Sequence, residues 1–129
     1  MFLPRLLGFE TGEFTIMKKY IALYMAPVGA FDEMIKNPDP KAMKETNESW
    51  NKWAKSHEKS FVDQGGPVGK NKRVTKEGIK DVRNEVTGYS FVQANSHEEA
   101  AKMFQDNPSF AYPGAYVEVI ECTEMPGST

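Results

Sequence analysis

Residues Trp50–Gly69 read WNKWAKSHEKSFVDQGGPVG, and this stretch decides the fold. Upstream of it, no Pro or Gly interrupts the chain from Lys41 to Asp63, and Asp39 offers a helix cap with Pro40 at the first helical position. At about 100° per residue, Met43, Thr46, Asn47, Trp50, Trp53, Ala54, His57 and Phe61 fall on one stripe. Lys41, Lys44, Glu48, Lys52, Lys55 and Lys59 lie opposite. The pattern predicts a long surface helix that lays an aromatic face on a sheet and stops at Gly65-Gly66.

The segments on either side supply the sheet. Lys18–Met25 (KKYIALYM) alternates Tyr20, Ala22 and Tyr24 with Ile21, Leu23 and Met25. Both sets are apolar, which predicts a central strand covered on both sides. Pro27, Gly29 and the run Asn37-Pro38-Asp39-Pro40 mark a loop, with a helical turn expected over Phe31–Ile35. After the long helix, Gly65–Gly69 reads as a turn and Val68–Thr75 as a second strand, with Gly69 at a bulge or close approach. Lys76–Glu85 is polar and predicts an exposed connection, and Thr87–Asn95 reads as the third strand. Ser96 and Glu99 are spaced as a capping box; Ala100, Ala101, Met103 and Phe104 give the second helix its buried side, and Pro108 closes it. Ala115–Cys122 is the last strand, with Val117, Val119 and Glu121 alternating with Tyr116, Glu118, Ile120 and Cys122.

The order is βαββαβ, which predicts an α+β domain of ferredoxin-like plan with an antiparallel sheet. Two helices on one face leave the other face apolar and open, and such a face needs a partner. A second copy packed face to face would complete a two-fold dimeric α/β barrel, so a homodimer is expected.

Composition narrows the partners. The 129 residues carry a net charge of −2, with no footprint for nucleic acid or an anionic membrane. No apolar run approaches the ~18 residues of a membrane span. A lone cysteine, Cys122, excludes an internal disulfide and fits a reducing cytoplasm, the expected location. Residues 1–16 lack the pattern of a signal peptide, and Met17-Lys18-Lys19-Tyr20 reads like a natural start. Residues 1–16 are therefore expected to be an extension outside the fold, 17–125 the domain, and 126–129 a frayed tail.

Few residues carry chemistry. His57 sits within the apolar stripe, where a packed histidine is the ordinary case, and His97 falls in the first turn of the second helix. Two histidines and one cysteine at unrelated spacing make no metal-ligand pattern, and Cys122 has no base partner in sequence, so a buried thiol is expected. Phosphate-binding and dinucleotide-binding motifs are absent, and no cofactor is expected. Trp50 and Trp53 at helical spacing are ordinarily core. With Tyr24 they also suit the wall of a small cavity, where Asn47, Ser49 and Asn107 would supply polar groups.

Taken together, the opening MKKYIALYM, the Trp50-x-x-Trp53 helix, the Asp63-x-Gly65-Gly66-Pro67 turn, Gly88-Tyr89-Ser90, the Ser96-x-Glu98-Glu99-Ala100 helix and the closing Val117-Glu118-Val119 resemble the YCII-related (YciI-like, DGPF-type) proteins. The resemblance runs from Met17 to about Met125. It implies a ferredoxin-like domain and a dimer. It also implies a proposed catalytic pair, a histidine on the first helix and an aspartate in an Asp-Pro after the second. Here the first position falls at or beside Ser49 and the second is Asn107-Pro108. Neither group titrates near neutrality, so the pair is no general acid–base dyad.

The expected function is binding of a small organic molecule between the first helix and the sheet. Trp50, Trp53, Tyr24 and Asn47 would contact it, and Ser49, His57 and Asn107 are the candidates for any chemistry. A non-catalytic interaction or regulatory module is the alternative. A cofactor-free oxygenase or isomerase is a third reading, on analogy of fold alone.

Overall fold

The structure is a computed structural model and describes residues 6–7 and 15–123. Its centre is a four-stranded antiparallel sheet. Strand β1 is Lys18–Met25, β2 is Phe61–Pro67, β5 is Val86–Ala94 and β6 is Tyr116–Glu121, in the order β2-β5-β1-β6. Between β2 and β5 stands a separate two-stranded ribbon, β3 (Asn71–Thr75) with β4 (Gly78–Val82). Helix α1 is Ala30–Lys36, α2 is Pro40–Ser56 and α3 is His97–Lys102. The molecule is mixed α+β with antiparallel sheets, compatible with the ferredoxin-like plan. Leu6–Leu7 pairs with Thr15–Ile16. The rest of the expected 1–16 extension, and the 126–129 tail, lie outside the described residues.

Strand β1 is central, and its alternation settles which face is which. Tyr20, Ala22 and Tyr24 are buried, with Val92 and Ala94 beside them in the sheet and Trp53, Ala100 and Phe104 above. Both α2 and α3 pack on this side. The alternating set lies on the other face: Ile21, Leu23, Met25, Tyr89 and Phe91 are half-buried, while Tyr116 and Ile120 are exposed. The expected cover on both sides of β1 is thus present on one side within a single chain.

A hydrogen-bonded row crosses three strands beneath α2. Ser90 Oγ donates to the Gln64 carbonyl at 2.7 Å, and Tyr24 Oη lies 2.8 Å from Ser90 Oγ. A hydroxyl has a single proton, so Tyr24 is the donor to Ser90. Burial raises the Tyr24 pKa above its ordinary value, and the Ser90 hydrogen bond offsets only part of that. A raised folded-state pKa means that the stability contribution is complete below pH 10 and is lost as pH rises through the folded-state value. Denaturant midpoints should therefore fall above pH 10, and Tyr24→Phe should flatten that fall.

Several expectations are corrected. Helix α2 ends at Ser56, not at Gly65-Gly66. Ser56 Oγ donates to the Trp53 carbonyl at 2.8 Å, the His57 N–H bonds back to Ala54, and a 3-10 turn over Glu58–Ser60 swings the chain into β2. Phe61 then packs on Trp53 from the sheet (5.5 Å between ring centroids) rather than from the helix. Met43, Thr46 and Asn47 at the start of α2 are exposed, and the apolar stripe holds only from Trp50 onward.

The second sheet strand is accordingly Phe61–Pro67, not Val68–Thr75, and the connection expected over Lys76–Glu85 contains strand β4. The glycine demanded by backbone geometry is Gly65 rather than Gly69. Gly65 has φ +65°, and a Cβ there would collide with the Tyr89 carbonyl oxygen; Gly69 has open space around it. Asp63 accepts the Gly65 N–H at 2.8 Å and sets the irregularity in the β2–β5 ladder. In the second helix, Ser96 caps as expected by accepting the Glu99 N–H, and Ala100 and Phe104 are buried. Ala101 is exposed, because α3 touches the sheet through a narrower stripe than the sequence indicates. Cys122 is exposed as well: it follows the end of β6, an edge strand, on the face that the helices leave open.

Candidate functional site

A cleft of about 640 Å³ runs between α2 and the chain that follows α3. One wall is a stripe of α2, with Thr46, Ser49 and Ser56 spaced by three and then seven residues so that they share a face. Trp53 lies along the same wall, and Asp106, Asn107 and Pro108 form the other. Glu45 and Lys52 bring opposite charges to it.

Trp53 anchors the geometry. It is 5 % exposed, and its ring meets those of Trp50, Phe61, Phe104 and His57 at 5.1–5.8 Å. Its Nε1 donates to the Met103 carbonyl (3.2 Å) and to Asp106 Oδ1 (3.1 Å). That fork ties α2 to the end of α3 and fixes both walls at once. His57 Nε2 lies 3.7 Å from the same carboxylate oxygen, beyond hydrogen-bond reach, and is a buried atom without a partner among the described residues.

Asn107 is 3 % exposed yet belongs to the cleft wall. Its Oδ1 accepts the Ser109 N–H at 3.0 Å and caps the 3-10 turn Pro108–Ala111. The bond assigns the amide: oxygen toward Ser109, nitrogen elsewhere. That Nδ2 has no partner among the described residues, and neither has the buried Ser109 Oγ. An unsatisfied buried donor costs about 1–3 kcal/mol, and of the two residues only Asn107 belongs to the cleft lining.

The remaining predicted residues are distributed as follows. Ser49, Trp53 and Asn107 meet at the cleft. Tyr24 and Trp50 pack edge to face at 5.1 Å within the core and do not line it. Asn47 is exposed outside the lining, and His57 reaches the site only through Asp106. His97 is structural: its ring stacks on Tyr20 at 5.1 Å and its Nε2 lies 2.7 Å from the Val119 carbonyl.

Asp106, Ser56, Glu45 and Lys52 were not singled out from sequence. The α2 set carried a signal, since Ala42, Thr46, Ser49, Trp53 and Ser56 recur at helical spacing beside the aromatic stripe; a search for apolar periodicity passes over it. Asp106 had no such signal, because its partners are fifty residues away. No group of three or more His, Cys, Asp or Glu among the described residues is placed to hold a metal, and no helix there is long and apolar enough to cross a membrane. Comparison with protein-family models and with curated proteins finds no match for the chain.

Proposed function

We propose that this chain is a YCII-related, cytoplasmic protein that binds a small organic molecule in the α2 cleft, and that its ferredoxin-like domain pairs with a second copy through the open sheet face. The observation that supports the binding reading is Asn107, a buried amide whose Nδ2 has no partner among the described residues and which lines the same cleft as Ser49. The resemblance expects a histidine at or beside Ser49 and an aspartate at Asn107, and Ser49 and Asn107 line one cleft. With neither group titrating near neutrality, their role is to orient a ligand by hydrogen bonds, the Asn107 amide donating to a carbonyl or carboxylate. Trp53 supplies the apolar contact.

A thermal-shift screen of the full chain against a metabolite library tests this. A ligand at a hundred times its dissociation constant stabilises by about 2.7 kcal/mol. The shift should vanish in Ser49→Ala and survive in Trp50→Phe, whose ring lies outside the cleft. A broad library without a hit would leave the second reading, a non-catalytic interaction module. That reading is favoured by one observation: Tyr24 and Trp50 pack against each other as core.

A further inference from the structure

The β3–β4 ribbon is the part of the molecule that the cleft does not account for. Every residue from Lys72 to Asp81 is exposed. Isolated two-stranded ribbons are marginal in water, and this one spends its residues on surface that its own chain does not bury. Its strands are in register, so directly opposed residues share a face. Val74 opposes Ile79 on one face, and the two are 71 % and 68 % exposed, the most exposed large apolar side chains among the described residues. The neighbouring pair on that face, Lys72 and Asp81, is joined at 2.6 Å and cancels its own charge.

The other face places Arg73 opposite Lys80, a like-charge pair that disfavours the ribbon by itself. The ribbon, residues 71–82, contains four Lys or Arg and two Asp or Glu, a net +2; with the whole chain at −2, the remainder carries −4. A cationic arm therefore extends from an anionic body.

We infer that the ribbon is an assembly arm for a second copy of this chain: the Val74/Ile79 face docks on the partner's open sheet face, and the arm's positive charge steers it to the partner's acidic body. Charge complementarity between copies selects this occupant. Position agrees with it. The ribbon leaves the sheet at the end where Met25 pairs with both Val86 and Tyr116, beside the open face, and that face presents Tyr116 and Ile120 with Glu118 between them. The inference rests on the proposed pairing of two copies and adds the residues that close it.

Sedimentation equilibrium of the full chain tests the pairing and the arm separately. The wild type should be a dimer at about 100 µM, and Val74→Ser/Ile79→Ser should weaken it about tenfold or more while leaving the circular dichroism spectrum unchanged. Arg73→Glu/Lys80→Glu should weaken it at ~50 mM salt and much less at ~500 mM, where screening has already removed the steering. Ile120→Glu, on the receiving face, should also weaken it. Arm variants that dimerise like wild type while Ile120→Glu does not would overturn the arm and leave face-to-face pairing standing. A wild type that stays monomeric would overturn the pairing, and the arm with it. Binding to phosphatidylserine vesicles that is lost in Arg73→Glu/Lys80→Glu, with self-association untouched, would assign the arm to an anionic membrane and overturn the inference.

Discussion

Trp53→Ala should lower the unfolding free energy by about 3–5 kcal/mol, the range for deleting a large aromatic from a core. The expectation comes from where the side chain sits. It is buried, it meets four other aromatic rings, and its Nε1 holds the Met103 carbonyl and Asp106 together. Truncation would leave a cavity between α2 and the sheet, and the chain after α3 would lose its tie to α2. A domain of this size has on the order of 5–15 kcal/mol of stability in total, so the loss is a large share of it. Trp53→Phe should cost less, because an aromatic ring still fills most of the space while the two hydrogen bonds are lost. Urea denaturation followed by circular dichroism measures both. If Trp53→Ala cost under about 1 kcal/mol, comparable to a surface change, Trp53 would not be the anchor described.

Gly65→Ala should destabilise by about 2–4 kcal/mol, from two independent causes. A left-handed backbone costs a residue with a Cβ about 1–2 kcal/mol. The added methyl would also meet the Tyr89 carbonyl oxygen and, at 3.1 Å, its ring; the carbonyl belongs to the neighbouring strand and cannot swing aside as a side-chain tip would. The β2–β5 ladder must open locally to admit it. Gly69→Ala is the control: its φ is not positive and nothing lies within reach, so it should be neutral or stabilise by up to about 1 kcal/mol through the unfolded chain. Equal effects at the two glycines in a denaturation series would contradict the assigned roles.

This contrast also marks where sequence reading stops. Gly65-Gly66-Pro67 is the strongest break signal in the chain, and propensity reads it as a helix stop followed by a turn. The glycines serve instead as an irregular point within β2, where Phe61 pairs opposite Val92 and packs on Trp53. That pairing is tertiary, and no local pattern reports it. Of the ribbon, β3 lies within the strand read over Val68–Thr75, whereas its partner β4 was hidden for a related reason. Asn71–Val82 lacks the alternation of apolar and polar residues that marks a half-buried strand, because both of its faces are exposed.

Where burial and periodicity agree, the sequence was readable. The alternating sets Tyr20/Ala22/Tyr24, Ser90/Val92/Ala94 and Val117/Val119 stand as read, as do the Asp39 and Ser96 caps, while burial in the structure decides which set faces the helices. The site was half legible. Ser49, Trp53 and Asn107 follow from helix spacing and from the Asn-Pro pair, but Asp106 becomes visible only when Trp53 is placed beside it.

The measurement closest to the central claim is a protein-observed NMR fragment screen of the full chain, reading the Trp53 indole N–H and the Asn107 side-chain amide. Fragments bearing a carbonyl or carboxylate should move both resonances, and Ser49→Ala should weaken that response. A diverse library that leaves both resonances in place, or ligand shifts that gather away from α2 and residues 106–111, would contradict a ligand site in this cleft.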